Sequence, residues 1–394
     1  MSTTKRSIFS GMRILLGQEW VSGQAVVVEG STIRAIIPEN MMQHHFPAKH
    51  HEFSRQHYLV PGFIDLHMHG AQGKDVMDGD KDAFLTIARA LATEGVTGYL
   101  ATTMSAENER IEQVLKTAAQ CMTEKTGAAL LGLHLEGPFL AKQKTGAQRE
   151  DYLQMPNITL FKQWQALAQN NIKMVTLAPE LMGALEFIRA LHALNITVSI
   201  GHTNATYDET MAAIKAGCSH ATHLFNAMRS IHQREPGATT ALLLADEVTA
   251  EIIVDGVHLH PAIVDMVLRL KGRERLMLIT DAMRAKCLRD GQYELGGQSV
   301  TVFAGRATLS DGTLAGSTLR MPNAIANMQK FTHCSLIDAI HMATINPAYL
   351  LGMHTHKGSI ETGKDADLVV LNDNIGVCLT MRAGNVIFSD SEHL

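Results

Sequence analysis

The 394-residue sequence contains only five cysteines, and no two of them form a Cys-x-x-Cys pair. They are odd in number and widely separated, at Cys121, Cys218, Cys287, Cys334 and Cys378. This pattern argues against both a disulfide framework and a zinc knuckle. A reducing compartment is therefore expected, and the cytosol is the natural one.

The sequence also lacks long apolar runs and basic blocks. No window approaches the roughly 18 apolar residues of a membrane span, and Lys5 and Arg6 are not followed by the apolar segment of a secretory signal. A formal net charge of −5, without a block of Lys and Arg, gives no field to attract a nucleic acid backbone. We therefore expect a soluble cytoplasmic protein with neither a membrane nor a nucleic acid as partner.

The residues that are present have the composition of a folded α/β protein. Hydrophobic residues make up 46% and charged residues 19% of the chain, and its length suits a barrel of about 250 residues with an accessory domain. From residue 60 onward, apolar runs alternate with helical stretches, the pattern of parallel strands joined by crossover helices. The eight runs are "LVPGFIDLHMHG", "GVTGYLATT", "AALLGLHLEGP", "KMVTLAPE", "ITVSIGHT", "SHATHLFNA", "AEIIVDGVH" and "LMLITDAM". They predict a (β/α)8 TIM-type barrel over residues 60–356.

Both ends of the chain look different from the barrel segment. Residues 1–59 contain short strand candidates such as "GQAVVVEGSTIRAIIP", and residues 357–394 offer "GKDADLVVLND" and "RAGNVIFS". Neither end alone has enough strands for a stable sheet. We therefore predict that the two ends form one small β-sandwich domain, in which the histidine-rich "MMQHHFPAKHHEFSRQH" is a polar connection without a function of its own.

Two histidines close the first barrel run, in "GFIDLHMHG". Side chains two residues apart lie on the same face of a strand, so His67 and His69 are side by side. An isolated pair of this kind is more often two solvated histidines at a strand end. Whether the pair belongs to a binding site therefore depends on the residues at the ends of the other strands.

Residues with metal-binding side chains recur where the other runs end. The C-terminal ends of barrel strands build the active site, and buried histidines and carboxylates are costly unless they are hydrogen-bonded or coordinated. The six residues are His67 and His69 on the first strand, Glu136 on the third, His202 on the fifth, His223 on the sixth and Asp281 on the eighth. Their convergence predicts a metal centre, because without a metal each of these six side chains would need its own hydrogen-bond partner.

Imidazole and carboxylate ligands suit zinc, iron or manganese, and a site without cysteine is typical of catalysis. Zinc is the metal we expect, in up to two ions per chain. His67, His69 and Asp281 can hold one ion, His202 and His223 the other, and Glu136 can bridge them. Since a metal lowers the pKa of bound water to about 7, hydrolysis is the default chemistry.

The motifs "PGFIDLHMHG", "LHLEGPFL", "GHTNATYDET", "THLFNAM", "REPG", "DGVHLHP", "ITDAM" and "LAGSTL" occur in this order. In that order, and over nearly the whole chain, the sequence resembles the N-acetylglucosamine-6-phosphate deacetylases of the amidohydrolase superfamily. Many superfamily members bridge their metals with a modified lysine at the end of the fourth strand. The fourth strand of this chain, "KMVTLAPE", does not end in a lysine. Glu136 takes that place, as in the deacetylases.

The resemblance implies roles for the six residues. Glu136, His202 and His223 match the metal ligands found throughout the family, and Asp281 matches its catalytic acid/base. His67 and His69 match a second-metal pair that only some members keep, so this chain resembles the two-metal branch.

The resemblance also implies substrate contacts. Arg234 in "REPG" and His258 in "DGVH" match the residues that hold the substrate phosphate. In some members, a histidine in the loop after "LEGP" polarises the amide carbonyl of the substrate. The corresponding loop of this chain, "KTGAQRE", has Gln148 instead, which can donate a hydrogen bond but cannot become a cation. The further matches are Ala147 by its backbone, Asn226 and Ala227 in "FNAM", and Leu314, Ala315 and Gly316 in "LAGS".

The implied activity is hydrolysis of the acetamide of N-acetylglucosamine 6-phosphate to acetate and glucosamine 6-phosphate. The resemblance also implies a homodimer, in which Arg234 can serve the site of the neighbouring chain. Three alternatives stay open: the same reaction on the galactosamine epimer, an amidohydrolase acting on a cyclic amide, and a non-catalytic scaffold that binds amino-sugar phosphates. Glu136 and the phosphate residues disfavour the second, and the full ligand set with Asp281 disfavours the third.

Overall fold

The computed structural model describes residues 5–45 and 47–390. Its N-terminal segment folds into short strands separated by glycine-containing turns, as the alternating apolar residues predict. In the histidine-rich stretch, residues 41–45 belong to a 3-10 helix, Glu39–His45, and Lys49–Glu52 forms a strand. The strands are β1 (Arg6–Ser10), β2 (Arg13–Leu16), β3 (Glu19–Val21), β4 (Gln24–Glu29), β5 (Thr32–Pro38), β6 (Lys49–Glu52) and β7 (Tyr58–Pro61).

An eight-stranded parallel sheet follows, and each of its strands coincides with one of the eight apolar runs. The strands are β8 (Phe63–Met68), after which a short antiparallel pair β9 (Gly70–Ala71) and β10 (Lys74–Asp75) branches off, then β11 (Val96–Thr102), β12 (Ala129–Glu136), β13 (Ile172–Leu177), β14 (Thr197–Ile200), β15 (His220–Ala221), β16 (Thr249–Ile253) and β17 (Leu276–Ile279). Neighbours pair in chain order. The ring closes just beyond β17, where the Asp281 amide donates to the carbonyl of His67 at 2.9 Å. The predicted barrel is confirmed.

Helices connect the strands and cover the barrel with their apolar faces. Several begin at a capping residue, as α5 does at Thr206, whose hydroxyl accepts from the amide of Glu209. Within residues 5–45 and 47–390, none combines the length and apolar character needed to cross a bilayer. The helices are α1 (Lys81–Ala92), α2 (Asn108–Cys121), α3 (Ile158–Leu167), α4 (Ala184–Ala193), α5 (Tyr207–Ala216), α6 (Ala238–Leu244), α7 (Pro261–Lys271), α8 (Met321–Thr332), α9 (Leu336–His341) and α10 (Ile345–Leu350). Single 3-10 turns lie at Val76–Asp78, Lys142–Lys144, Glu150–Tyr152 and Arg273–Arg275.

A three-stranded antiparallel sheet between β17 and α8 was not among the predictions. It consists of β18 (Gly291–Leu295), β19 (Gln298–Phe303) and β20 (Arg306–Thr308). Its signal is the alternation in "QSVTVF", where Val300 and Val302 are buried and Ser299, Thr301 and Phe303 are exposed. The sheet matters for function because Leu295 lines the pocket above the candidate metal ligands.

Strands from both chain ends combine in one β-sandwich, as predicted. The C-terminal strands β21 (Leu368–Leu371), β22 (Val377–Arg382) and β23 (Asn385–Ser389) join the N-terminal ones in a sheet of order β23-β22-β21-β7-β2-β3. A second sheet has the order β5-β4-β1-β6. Phe9 and Val26 from one sheet and Leu59, Leu368 and Leu379 from the other share one buried cluster. The domain division at residues 59/60 and 356/357 stays a prediction, and β7 crosses the first boundary.

Candidate metal centre and active site

The six candidate metal ligands of the strand ends lie together at the C-terminal end of the barrel. Three of them leave their strands in the left-handed backbone region, with φ of 48° at His202, 28° at His223 and 47° at Asp281. Non-glycine residues in this region cost about 1–3 kcal/mol each and cluster at functional sites. The backbone is therefore strained where these side chains turn toward one another.

Glu136 is the centre of the cluster. It is 2% exposed and ends β12, where Gly137 turns away with a φ of 81°; a Cβ on that glycine would lie 2.2 Å from the hydroxyl of Ser105. Four imidazoles surround the two carboxylate oxygens. Oε1 lies 3.0 Å from Nε2 of His223, 3.2 Å from Nε2 of His202 and 3.5 Å from Nε2 of His67, and Oε2 lies 3.4 Å from Nε2 of His69.

Asp281 also faces His67 and His69 at the end of β8. Its Oδ1 lies 3.2 Å from Nε2 of His69 and 3.5 Å from Nε2 of His67. The His67 Nε2 atom is buried and has no hydrogen-bond partner within the described part of the chain. His202 and His223 also direct their Nε2 atoms at each other across 3.2 Å. Imidazole nitrogens and carboxylate oxygens that converge in this way fit a divalent metal.

The cluster perturbs the protonation of its own members. Burial alone would lower the pKa of His69, but hydrogen bonds to Asp281 and Glu136 outweigh burial and raise that pKa to about 9. Burial would raise the pKa of Asp281, yet the charges of His67 and His69 hold it below its ordinary value. Without a metal, the carboxylates are therefore anionic and the His69 ring carries a proton at neutral pH.

Metal binding should accordingly depend on pH. Since a metal must displace the His69 proton below pH 9, the affinity for Zn²⁺ should rise about tenfold from pH 7 to 8, by less from pH 8 to 9, and then level off. Titrations of metal-free protein against a competing chelator at several pH values measure this slope. A pH-independent affinity over that range would contradict the assigned protonation of His69.

A pocket of about 330 Å³ opens above the cluster. Most of the residues predicted from the sequence line it: His69, Glu136, Ala147, Gln148, His202, His223, Asn226, Ala227, His258, Asp281, Leu314 and Gly316. The imidazole Nδ1 of His258 lies 2.7 Å from Oδ2 of Asp255, which orients this ring. Gly316 approaches Asp281 closely, and the Ser317 amide after it donates to the Asp281 carbonyl at 2.8 Å.

Three predicted residues do not line the pocket. His67 lies beneath it and is fully buried, and Ala315 is buried between two lining residues. Arg234 is exposed on the loop after β15, outside the pocket of the single chain. The structure therefore brings together every predicted residue except Arg234.

Gln148 is held at both ends of its side-chain amide. Its Nε2 donates to Oε2 of Glu136 at 2.9 Å, and its Oε1 accepts from the Ser105 amide at 2.7 Å. The side chain is 4% exposed. Gln148 therefore orients the central carboxylate in addition to lining the pocket.

The sequence analysis missed the polar layer beneath the cluster. Glu251, His134 and His220 are fully buried inside the barrel, and Glu251 lies 3.0 Å from Nδ1 of His67. The available signal was a charged or imidazole side chain in the middle of an otherwise apolar strand, as in "AEIIVDGVH". Lys144, which also lines the pocket, accepts the His202 Nδ1 hydrogen bond on its carbonyl at 2.9 Å.

Comparison with known proteins identifies the family. The sequence model of the amidohydrolase family matches residues 58–387. The chain is 45% identical over 338 residues to an N-acetylglucosamine-6-phosphate deacetylase of Bacillus subtilis (strain 168), with 85% of each chain covered. It is 37% identical over 371 residues to an N-acetylgalactosamine-6-phosphate deacetylase of Escherichia coli O157:H7, with 94% of this chain and 96% of that protein covered.

Solved structures agree with the sequence relatives. One is an N-acetyl-D-glucosamine-6-phosphate deacetylase mutant from Mycobacterium smegmatis in complex with N-acetyl-D-glucosamine-6-phosphate. It is 32% identical to this chain and superposes with a TM-score of 0.91, covering 98% of this chain and 100% of that chain. The chain therefore belongs to the amidohydrolase family and, within it, to the N-acetylglucosamine-6-phosphate deacetylases.

Proposed function

We propose that the protein hydrolyses the acetamide of N-acetyl-D-glucosamine 6-phosphate to D-glucosamine 6-phosphate and acetate, as a step of amino-sugar catabolism in the cytoplasm. The observation that carries the proposal is the pocket above Glu136, in which four imidazoles and two carboxylates meet beneath the residues that match the family's sugar contacts. A relative of that activity is 45% identical over 85% of the chain.

We assign two divalent ions, most simply zinc, to the cluster. His67, His69 and Asp281 would hold one, His202 and His223 the other, and Glu136 would bridge them. The buried His67 Nε2 atom without a hydrogen-bond partner among the described residues supports this assignment. Bound there, a divalent metal supplies a Lewis acid that acts on water and on the amide carbonyl.

The protein's own groups handle the proton. Asp281 is anionic, and its Oδ1 faces His69 at the pocket floor. It therefore can take a proton from the attacking water and deliver it to the leaving amine, which leaves poorly without one. The pocket of about 330 Å³ suits one amino-sugar phosphate, and Leu295 and Met104 form an apolar part of its wall.

The galactosamine epimer is the second candidate, because the Escherichia coli relative that is 37% identical is named for it. A turnover assay with both epimers, each with and without the 6-phosphate, separates the candidates. We expect N-acetylglucosamine 6-phosphate to have the highest kcat/KM. A higher value for the galactosamine epimer would reassign the substrate and leave the chemistry intact.

The phosphate-binding role of Arg234 gives a further prediction. Its guanidinium presents a fork of donors that suits a phosphate dianion, and His258 can add another from inside the pocket. Arg234→Ala should lower kcat/KM for N-acetylglucosamine 6-phosphate by at least about tenfold and change activity on the unphosphorylated sugar far less. Equal efficiency of the wild type on both sugars would refute the phosphate assignment.

Since Arg234 is exposed outside the pocket of its own chain, we propose that it completes the site of a partner chain in a homodimer. Mixing Arg234→Ala chains with Asp281→Asn chains should then restore some activity, because one of the two sites in a mixed dimer has both residues. Arg269→Ala, which removes an exposed arginine of α7, is the control and should lose nothing. No recovery in a demonstrated mixed dimer would place Arg234 in its own chain's site or outside the mechanism.

A further inference from the structure

The His67 ring is held from below by a carboxylate that does not reach the pocket. Its Nδ1 lies 3.0 Å from Oε2 of Glu251, and both side chains are fully buried. Carboxylate oxygens accept hydrogen bonds, so the N–H of this contact is on Nδ1. Nε2 is consequently the nitrogen left to face Glu136 and Asp281.

Glu251 also contacts the strand that carries His223. The Oε2 atom that faces His67 lies 3.3 Å from the backbone amide of His223, and Oε1 lies 3.3 Å from Nε2 of His220. The ring of His220 is in turn fixed by Thr249, whose hydroxyl lies 2.6 Å from Nδ1. One carboxylate on β16 therefore connects β8 with β15 across the inside of the barrel.

Packing alone does not account for a charge at this position. Burying a carboxylate and its partners costs free energy, and well-packed apolar residues of similar volume often stabilise a core as well or better. The neighbours of Glu251 on β16, Ala250, Ile252 and Ile253, are apolar and buried. The partners of Glu251 include one ring and one backbone amide of the metal-binding residues. This points to a role in the arrangement of the cluster.

We propose that Glu251 is a positioning residue of the metal centre, which fixes the His67 ring with Nδ1 toward the barrel interior and Nε2 toward the ion shared with His69. The proposal rests on the two-ion assignment made above. Groups of this kind, one layer behind the ligands, typically change metal affinity about 10–100-fold when replaced. Glu251 acts through His67, so its effect should depend on that ring.

The test measures Zn²⁺ binding to metal-free protein by competition with a chelating dye, together with the metal content of the loaded protein. Glu251→Met, of similar volume but without an acceptor, should weaken the ion at His67 and His69 by about 10–100-fold and leave the ion at His202 and His223 bound. Glu251→Gln keeps an acceptor oxygen and should recover most of the affinity. Glu94→Gln, at a fully buried carboxylate paired with Lys286 away from the cluster, is the control and should keep both ions.

A double-mutant comparison separates positioning from a general structural role. In a His67→Asn chain, which already lacks the ring, Glu251→Met should produce no further change in Zn²⁺ binding. If it weakens binding of the remaining ion there as well, or if a folded Glu251→Met chain keeps both ions at wild-type affinity, the proposal is wrong. Should Glu251→Met not fold, Glu251→Asp replaces it, because it keeps the charge but cannot reach His67 and should also lose affinity.

The same preparations distinguish this proposal from the proposed function. Wild type that binds two Zn²⁺ ions but does not deacetylate amino-sugar phosphates would refute the function and leave the role of Glu251 testable by affinity. Wild type that deacetylates while Glu251→Met keeps both ions would refute the role of Glu251 alone.

Discussion

Asp281→Asn is expected to reduce kcat by at least about 10²–10⁴-fold, the usual contribution of a general acid/base. An amide has nearly the same shape as the carboxylate but cannot take up and release a proton. The variant should fold, because the backbone of Asp281 keeps its bonds to His67 and Ser317. Steady-state kinetics with N-acetylglucosamine 6-phosphate measure the loss.

The control for this variant is Asp265→Asn, which makes the same chemical change on helix α7, where Asp265 pairs with Arg269 outside the pocket. It should retain the wild-type kcat. Because Asp281 is also an assigned metal ligand, the metal content of Asp281→Asn is measured alongside. A near-normal kcat in the Asp281 variant would refute its role in proton transfer.

Replacing both His67 and His69 by asparagine is expected to remove one of two bound ions completely. Glu136, His202 and His223 keep their mutual geometry in this variant, with Oε1 of Glu136 3.0 Å from His223 and 3.2 Å from His202, so the other ion should remain. Elemental analysis of the loaded protein gives the ion count directly.

Exposed histidines provide the matched control for the double replacement. His44 and His356 lie on the surface away from the pocket, and replacing both by asparagine should leave two ions bound. If the fully loaded wild type binds no more than one ion, the two-ion assignment is wrong, regardless of the results with the variants.

Most of the fold was predictable because it depends on local patterns. Each of the eight apolar runs became a barrel strand, since alternation of strand and helix signals is written in consecutive residues. The strand ends also marked the six cluster residues, because parallel strands of a barrel bring their C-terminal ends to one face. The small sheet β18–β20 was missed because its alternation lies in a segment between two stronger barrel signals.

The second layer of the site could not be predicted in the same way. Glu251 and His67 are 184 positions apart, and nothing in the sequence near either residue says that β16 and β8, which flank β17 in the barrel, direct these two side chains at each other. The bonds of Gln148 to Glu136 and Ser105 depend likewise on how a loop folds back over the pocket. The location of Arg234 outside the pocket is a matter of loop direction, which residue type does not encode.

The most direct test of the central claim is to follow N-acetylglucosamine 6-phosphate by proton NMR with metal-free protein, before and after Zn²⁺ is restored. Acetate and glucosamine 6-phosphate should form in equal amounts, and only after the metal is added. Formation of acetate at an undiminished rate in fully metal-free protein, or no acetate in protein that carries its full metal content, would contradict metal-dependent deacetylation at this site.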